Sequence, residues 1–371
     1  MMNIGFDAKR ALFNRSGLGN YSRSTLRLLS QYHPENNYFM FTAKVNYEIF
    51  QPSANLRLVT PENKLYQTFP GFWRSWGINR QIQEQKINIY HGLSNELPAG
   101  IRKSGVKTVV TIHDLIFLRY PEYYPYTDRK VYLLKFRYAC KVADKIIATS
   151  EATKADICHF FGTDPAKIEV VYQTCDPVFR KQVPAIEKEQ VLKKYDLPQR
   201  FILYLGTIER RKNALTLVKA YLRSNMHIPL IIAGRPTEYM IEINDYLRKH
   251  QSGERVIFRH NIETADLPAL YQSAHLFVYP SVFEGFGIPI LEALYSGVPV
   301  ITSTGSCFAE TGGDAALYCD PYNDEQLSEL MNLVLNDEAT RTAMIDKGFK
   351  YAAHFDEEKV ASNLMKVYTS L

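Results

Sequence analysis

Glu284 and Glu292 flank Gly285-Phe286-Gly287-Ile288-Pro289, a loop whose two glycines let backbone N–H groups come close to a ligand. Apolar Leu276–Tyr279 before it reads as a buried parallel strand. Pro289 suits the first turn of a helix, and Gly297 ends that helix. Glu284 therefore falls in the loop and Glu292 about a turn into the helix. N–H groups of Phe286, Gly287 and Ile288 at the helix start add positive potential beside the carboxylates, which suits a polar ligand bearing phosphate. An ordinary loop, with one glutamate as a solvated cap and the other as a helix-face charge, has the same spelling.

A second group follows the apolar run Phe201–Leu205: Gly206-Thr207-Ile208-Glu209-Arg210-Arg211-Lys212-Asn213. Three adjacent cations at a strand's carboxyl end repel one another unless an anion sits among them. Arg grips phosphate through a planar fork and Lys as a compact charge, so the turn fits a diphosphate. A solvated basic turn is the competing reading. In the first half, Ser16-Gly17-Leu18-Gly19-Asn20 precedes a helical pattern, so Gly17 and Gly19 could bring N–H groups to a phosphate. Ser22 stands where a dinucleotide fingerprint needs its third glycine, which disfavours NAD and leaves a plain tight turn as the alternative. His113-Asp114 closes the strand-like run Lys107–Ile112 as a polar pair expected to be exposed. A histidine satisfied by local backbone or by Asp114 is the bland reading.

The stretch Glu-Gly-Phe-Gly-x-Pro-x-x-Glu-Ala from Glu284 to Ala293 resembles the donor-site signature of retaining, nucleotide-sugar-dependent glycosyltransferases of family 4, which have the GT-B fold. That resemblance implies diphosphate binding by Arg211 and Lys212, whose segment is similar to the family's Thr-x-Glu-x-Arg-Lys-Asn. Arg210 stands where the family often has proline, and its role stays open. The resemblance also implies that Glu292 binds ribose, that Glu284 bonds sugar hydroxyls, and that His113 lies near the transferred sugar. Gly17 and Gly19 look like the Gly-x-Gly loop on the N-terminal side of the cleft. The late element Ser306–Leu317 departs from the family's wording, with Ala309 where proline is common.

These groups need rigid elements to hold them. Strand-like runs alternate with helical patterns throughout: Ile4–Asp7, Tyr38–Thr42, Leu56–Val59, Ile87–Tyr90, Lys107–Ile112, Lys145–Ala148 and Ile168–Val171 in the first half. Phe201–Leu205, Leu230–Ala233, Val256–Phe258, Leu276–Tyr279, Val298–Thr302 and Ala315–Cys319 follow in the second. This beat predicts an α/β protein of two doubly wound, Rossmann-like units with substrates at the carboxyl ends of the strands, facing across a cleft. Residues 1–175 are expected to form the first unit and 200–354 the second, and the resemblance implies that the first is the acceptor side and the second binds the nucleotide sugar. The Pro-rich, charged stretch 176–199 is expected as a linker. Val360, Leu364, Val367 and Leu371 make an amphipathic helix of 355–371, which the resemblance implies returns to the N-terminal domain.

The 371 residues, 46% hydrophobic and 22% charged, are ordinary for a globular protein of two cores. Cys140, Cys158, Cys175, Cys307 and Cys319 form no Cys-x-x-Cys pair, which disfavours zinc or redox chemistry and points to reduced thiols. No apolar run approaches the ~18 residues of a spanning helix, and no leader is visible, so a cytoplasmic protein is expected. Charge is uneven. Residues 1–175 hold 23 Lys+Arg against 14 Asp+Glu, a surplus of 9, whereas 176–371 hold 21 against 25, a deficit of 4. A helix expected around Tyr126–Lys145 interleaves Arg129, Lys130, Lys135, Arg137 and Lys141 with apolar residues, and Phe72, Trp73 and Trp76 lie beside Arg74 and Arg80. Both clusters read as core packing with a solvated basic face, or as contacts to anionic lipid at the inner membrane face.

The expected activity is retaining transfer of a mannose- or glucose-type hexose from a GDP-, UDP- or ADP-sugar. The acceptor is a saccharide or a polyprenyl-diphosphate-linked saccharide, in surface polysaccharide or lipopolysaccharide synthesis. No Asp-x-Asp offers ligands for a metal–diphosphate chelate, so transfer without metal or other cofactor is expected. A nucleotide-sugar epimerase or hydrolase, or a non-catalytic nucleotide-sugar-binding subunit, would use the same donor residues. Nucleic acid is not an expected partner.

Overall fold

Thirteen short apolar runs become strands, and among the described residues they pair in parallel throughout. The structure is a computed structural model that describes residues 1–224 and 226–371. It divides into two units, Met1–Thr174 with Phe355–Leu371, and Cys175–His354.

The first unit holds β1 (Asn3–Asp7), β2 (Asn37–Phe41), β3 (Leu56–Val59), β4 (Ile89–Gly92), β5 (Lys107–Ile112), β6 (Lys145–Ala148) and β7 (Ile168–Val170), in the order β3-β2-β1-β4-β5-β6-β7. Neighbouring residues point to opposite faces. Val109 of β5 packs with Leu26, Leu29 and Leu364 on one face, while Val110 packs with Trp73, Ile78 and Phe136 on the other. Helices cover both faces, which is why strands such as Thr-Val-Val-Thr-Ile read as continuous apolar runs.

The second unit holds β8 (Ile202–Leu205), β9 (Leu230–Ala233), β10 (Val256–Arg259), β11 (Leu276–Tyr279), β12 (Val300–Ser303) and β13 (Ala316–Cys319), ordered β10-β9-β8-β11-β12-β13. In both sheets the winding direction reverses once, between β1 and β4 in the first unit and between β8 and β11 in the second. Connections leave these neighbouring strands in opposite directions, so their carboxyl ends stay uncovered and form a crevice suited to ligands.

Two expectations need adjustment. Residues 175–199 are packed into the second unit instead of linking freely. Phe179 is buried 5.7 Å from the Tyr271 ring, Val183 N donates to Gln272 Oε1 at 2.9 Å, and Leu192 of the helix Ala185–Lys194 is buried. Their apolar side chains outweigh the Pro-rich, charged composition that suggested a linker. The helix expected over Tyr126–Lys145 stops at Val142, because Lys145 opens β6.

The last helix, Glu357–Thr369, packs against the helix Gly17–Tyr32 of the first unit, burying Val360, Leu364, Val367 and Tyr368. Burying side chains of this size contributes about 1.5–3 kcal/mol each. Glu357 also pairs with Arg27. All five cysteines are free thiols. Among the described residues no helix is long and apolar enough to cross a membrane.

Candidate active site

The chain leaving β8 turns through Gly206 and forms one short turn of helix at Arg210–Lys212. Asn213 then adopts the left-handed region (φ 60°) before the helix Ala214–Arg223. The Asn213 amide donates to Pro280 O at 3.1 Å and Pro321 O at 2.6 Å, tying this turn to the end of β11. The three cations separate. Arg210 swings out to pair with Glu242, its guanidinium 5.5 Å from the Tyr239 ring centroid. Arg211 and Lys212 turn in, with side chains only 13% and 16% exposed.

Both converge on Glu284. Arg211 Nη1 donates to Phe283 O at 2.5 Å and lies 2.8 Å from Glu284 Oε1, while Nη2 donates to Glu209 Oε1 at 2.6 Å. Lys212 Nζ stands 3.9 Å from Glu284 Oε1 and donates to the Tyr279 hydroxyl at 2.9 Å, and that hydroxyl donates to Glu284 Oε1 at 2.7 Å. Ser281 Oγ donates to the same oxygen at 3.0 Å. Ser306 Oγ accepts from Glu284 N at 3.1 Å and donates to Glu284 O at 2.8 Å, fixing the backbone. Burial pushes the Glu284 carboxyl up, but the charges of Arg211 and Lys212 and the hydrogen bonds from Tyr279 and Arg211 outweigh it. They bring the carboxyl to about 2. Glu284 is therefore an anion at neutral pH, suited to accept hydrogen bonds and stabilise positive charge, not to donate a proton.

Gly287 caps the helix Ile288–Tyr295 in the left-handed region (φ 95°), which favours glycine, and Pro289 sits in its first turn. Thr311 Oγ1 bonds Phe286 O, so the loop Phe286–Ile288 is held from the later element as well. Glu292 lies about a turn in. Tyr271 Oη donates to its Oε2 at 3.0 Å. Burial pushes this carboxyl up to about 7, against the opposing Tyr271 bond and Lys212 charge. The two glutamates thus differ widely in acidity, because only Glu284 has adjacent cations close enough to offset its burial.

The remaining candidates belong to the first unit. Gly17 begins the helix Gly17–Tyr32. Gly19 lies within its first turn, where its N–H donates to Ser16 O at 2.9 Å, which corrects the expectation that this N–H faces a phosphate. A Cβ on Gly19 would lie 1.8 Å from Asn14 O, so the glycine is required by close backbone approach, whereas a Cβ on Gly17 would meet open space. His113, expected to be exposed, is buried: its Nε2 bonds Leu93 O at 2.8 Å and its ring meets Tyr21 edge-on at 4.6 Å. Burial lowers its pKa to about 4, although the Leu93 carbonyl opposes the shift, so the imidazole is neutral. Tyr21 continues through Thr111 Oγ1 (2.8 Å) to His91 Nε2 (2.8 Å), whose Nδ1 meets Tyr368 Oη at 2.7 Å.

Sequence reasoning did not single out Tyr279, Ser281, Ser306 or Tyr271. Tyr279 read only as the last residue of a buried strand, yet its hydroxyl bridges Lys212 and Glu284. Its position at the end of β11, the strand that opens onto the Glu284 loop, is the one signal that could have found it. Among the described residues no three His, Cys, Asp or Glu side chains are grouped as metal ligands.

The family model described as Glycosyl transferases group 1 matches residues 186–351, and that of Glycosyltransferase Family 4 matches residues 26–179. The chain is 33% identical over 300 residues to the O-antigen chain mannosyltransferase B of Escherichia coli, an alignment covering 78% of this chain and 76% of that protein. It is 29% identical over 222 residues to the O-antigen chain mannosyltransferase RfbU of Salmonella typhimurium, spanning 58% of this chain and 57% of that protein. Its architecture is similar to that of the sucrose-phosphate synthase from Thermosynechococcus elongatus, with a TM-score of 0.78 over 100% of this chain and 99% of that one. At 19% identity this is a likeness of fold.

Proposed function

The chain belongs to glycosyltransferase family 4 and has the GT-B fold, and from that premise we propose that it is a retaining hexosyltransferase of surface polysaccharide or lipopolysaccharide synthesis. It takes mannose, or a glucose-type hexose, from a nucleoside diphosphate sugar. The acceptor is a saccharide, carried in the cell on a polyprenyl diphosphate. The observation that carries this reading is the convergence of Arg211 and Lys212 on an ionised Glu284 beside the point where the second sheet reverses.

In this mechanism Arg211 and Lys212, with N–H groups at Phe286–Ile288, stabilise charge growing on the departing diphosphate, a role that needs no metal. Glu284 accepts from sugar hydroxyls through Oε2, since its ion pairs and side-chain hydrogen bonds within the protein are made by Oε1, and its negative charge stabilises the oxocarbenium-like C1. The C1–O bond to phosphate breaks as C1 bonds the acceptor oxygen on the same face. The acceptor proton passes to the departing phosphate oxygen, so configuration is retained without an enzyme nucleophile. Glu292 accepts from ribose hydroxyls. His113 is neutral and held by Leu93 O, and a part for it and for the Gly17 turn beside the sugar rests on the family likeness alone.

The test is transfer by the purified chain from GDP-, UDP- and ADP-linked mannose and glucose to oligosaccharide acceptors, with the product anomer read by NMR. An inverted product would refute retention. Donor turnover independent of any acceptor would instead point to a hydrolase or epimerase, and nucleotide-sugar binding without turnover to a binding subunit.

A further inference from the structure

The first sheet also reverses direction, between β1 and β4, and a cavity of about 250 Å³ opens beside that reversal. Its charged floor comes from both strands. Asp7 ends β1, and Glu96 follows β4. Between them lies Arg74, whose Nε and Nη2 donate to Asp7 Oδ2 and whose Nη1 donates to Glu96 Oε2 at 2.8 Å. Lys135 Nζ closes the row, donating to Glu96 Oε1 at 3.1 Å.

The rim is apolar and exposed. A π-helical turn at Trp73–Gly77 sends Trp73 into the core, where its indole N–H donates to Gln81 Oε1 at 2.7 Å. The same turn leaves Trp76 54% exposed at the mouth. Turns of this kind occur often at functional sites. Ala99 N donates to Ser75 O at 2.7 Å, so the turn is pinned to the loop after β4. Leu134, 71% exposed, also lines the cavity.

This chemistry selects its ligand. The formal charges of the lining groups Asp7, Arg74, Glu96 and Lys135 cancel, with Lys9 within electrostatic reach of them, so a phosphate would meet two carboxylates and a free cation would meet basic groups. A neutral ligand rich in hydroxyls meets neither penalty. A carboxylate accepts about four hydrogen bonds. Glu96 accepts two from protein, leaving sites for ligand hydroxyls, and Arg74 uses three of its five N–H groups on these carboxylates. A pyranose presents hydroxyls on its edge and C–H groups on its face, matching a charged floor below an exposed indole. The volume is below the about 300–1,000 Å³ of sites that enclose drug-sized molecules, which suits one sugar ring better than a nucleotide.

We propose that this cavity is a saccharide subsite in which one ring of the acceptor lies with its hydroxyls on Glu96 and Arg74 and its C–H face on Trp76. The assignment of that saccharide as the acceptor rests on the proposed transferase function, whereas the saccharide class rests on the cavity.

The experiment uses the full chain and the variants Glu96→Gln and Trp76→Ala. Trp76 is half exposed, so its truncation leaves the core intact even where loss of the Glu96 charge lowers stability. Binding of methyl α-mannoside and of an α-linked mannobiose is followed by saturation-transfer NMR, with nucleoside diphosphate binding measured by calorimetry. The expected result is saccharide affinity weakened about tenfold in each variant, with nucleoside diphosphate affinity unchanged, and in transfer assays a matching rise in acceptor KM at constant kcat. Wild-type saccharide affinity in both variants, or a wild-type chain that binds nucleotide but no saccharide, would overturn the proposal. Saccharide binding that depends on Glu96 and Trp76 in a chain that transfers no sugar would support the subsite and refute the transferase reading, so the two fail separately.

Discussion

Arg211 Nη1 lies 2.8 Å from Glu284 Oε1, so the principal cation proposed to hold diphosphate is already paired with the principal proposed catalytic anion. In the proposed mechanism this pair would couple donor binding to the charge that faces the sugar. Glu284→Gln removes the anion and leaves Arg211 more available to phosphate. Turnover is expected to fall by roughly two powers of ten, with nucleoside diphosphate affinity held or improved. Steady-state kinetics beside calorimetry check this, and unchanged turnover would remove Glu284 from the mechanism.

The same pair sets an acid limit on stability. Glu284 is held at about 2 in the fold against an ordinary value of 4.5. Its folded-state carboxyl gives up its proton more readily than the unfolded one, so its contribution is complete above about 4.5 and disappears as pH falls towards 2. The slope it contributes is at most about 1.4 kcal/mol per pH unit. Glu284→Gln should flatten denaturant-derived stability across that window, and an unchanged slope would contradict the assigned ion pair.

Glu292 shows the opposite sign. Burial raises it to about 7 from 4.5, so between those values the fold holds a proton that the unfolded chain has lost. Stability from this group therefore falls as pH rises from about 4.5 to 7 and then levels off. Glu292→Gln should be more stable than the wild type at pH 8 and nearly equal to it at pH 4. If the ionised carboxylate accepts from ribose, wild-type affinity for nucleoside diphosphate should rise through neutrality while the variant stays weak and flat. Parallel pH profiles for the two proteins would exclude the ribose role.

Arg211→Ala and Lys212→Ala are each expected to cost about 1–3 kcal/mol of diphosphate affinity, the value of a charged hydrogen bond. Arg210→Ala should cost little, because Arg210 is occupied with Glu242. Transfer should survive exhaustive EDTA treatment. Loss of activity with EDTA and its return with magnesium or manganese would show that protein cations do not suffice.

Much of this arrangement was legible in the chain. Each strand-like run became a strand with ends moved by a residue or two, because strands buried on both faces are spelled as unbroken apolar runs. The Glu284 loop and the Arg211-Lys212 turn were visible as residue types at strand ends. Strand order was not, since it depends on which edges meet in space, and with it went the reason that Arg211 and Lys212, distant in sequence, converge on Glu284. His113 shows the same limit. A polar residue after a strand reads as exposed, and only the packing of Tyr21 over it and the carbonyl of Leu93 make it a buried, neutral imidazole. Arg74 looked like part of a surface aromatic and basic cluster, yet it forms a bridge between Asp7 and Glu96, two carboxylates distant in sequence.

The two glycines of the first turn separate by stability. Gly19→Ala forces a methyl group onto Asn14 O and is expected to cost about 1–3 kcal/mol, read by chemical denaturation. Gly17→Ala meets open space and should fold almost as well as the wild type. A Gly17 variant that folds normally but binds donor or acceptor more weakly would place that backbone at the substrate. Normal kinetics would reduce the turn to a structural feature.

Membrane contact is tested on the surface that the structure assembles. Phe69, Phe72, Trp76 and Leu134 are each at least half exposed, and Trp76 and Leu134 line one cavity, which places them on one face of the first unit. Arg129, Lys130 and Arg137 lie on the helix that carries Leu134, whereas Lys135 is bonded to Glu96 and belongs to the cavity floor. Exposed Lys130 and Arg137 and half-buried Arg129, beside aromatic side chains, suit an anionic bilayer that presents a lipid-linked acceptor. Liposome binding should therefore rise with anionic lipid content and weaken from low to physiological salt, where the screening length is about 8–10 Å. Substituting Arg129, Lys130 and Arg137 together by glutamine should reduce it without altering transfer to a short soluble oligosaccharide. Absence of binding to anionic liposomes at low salt, together with full activity on the soluble acceptor, would sink the membrane contact and leave the transferase assignment standing.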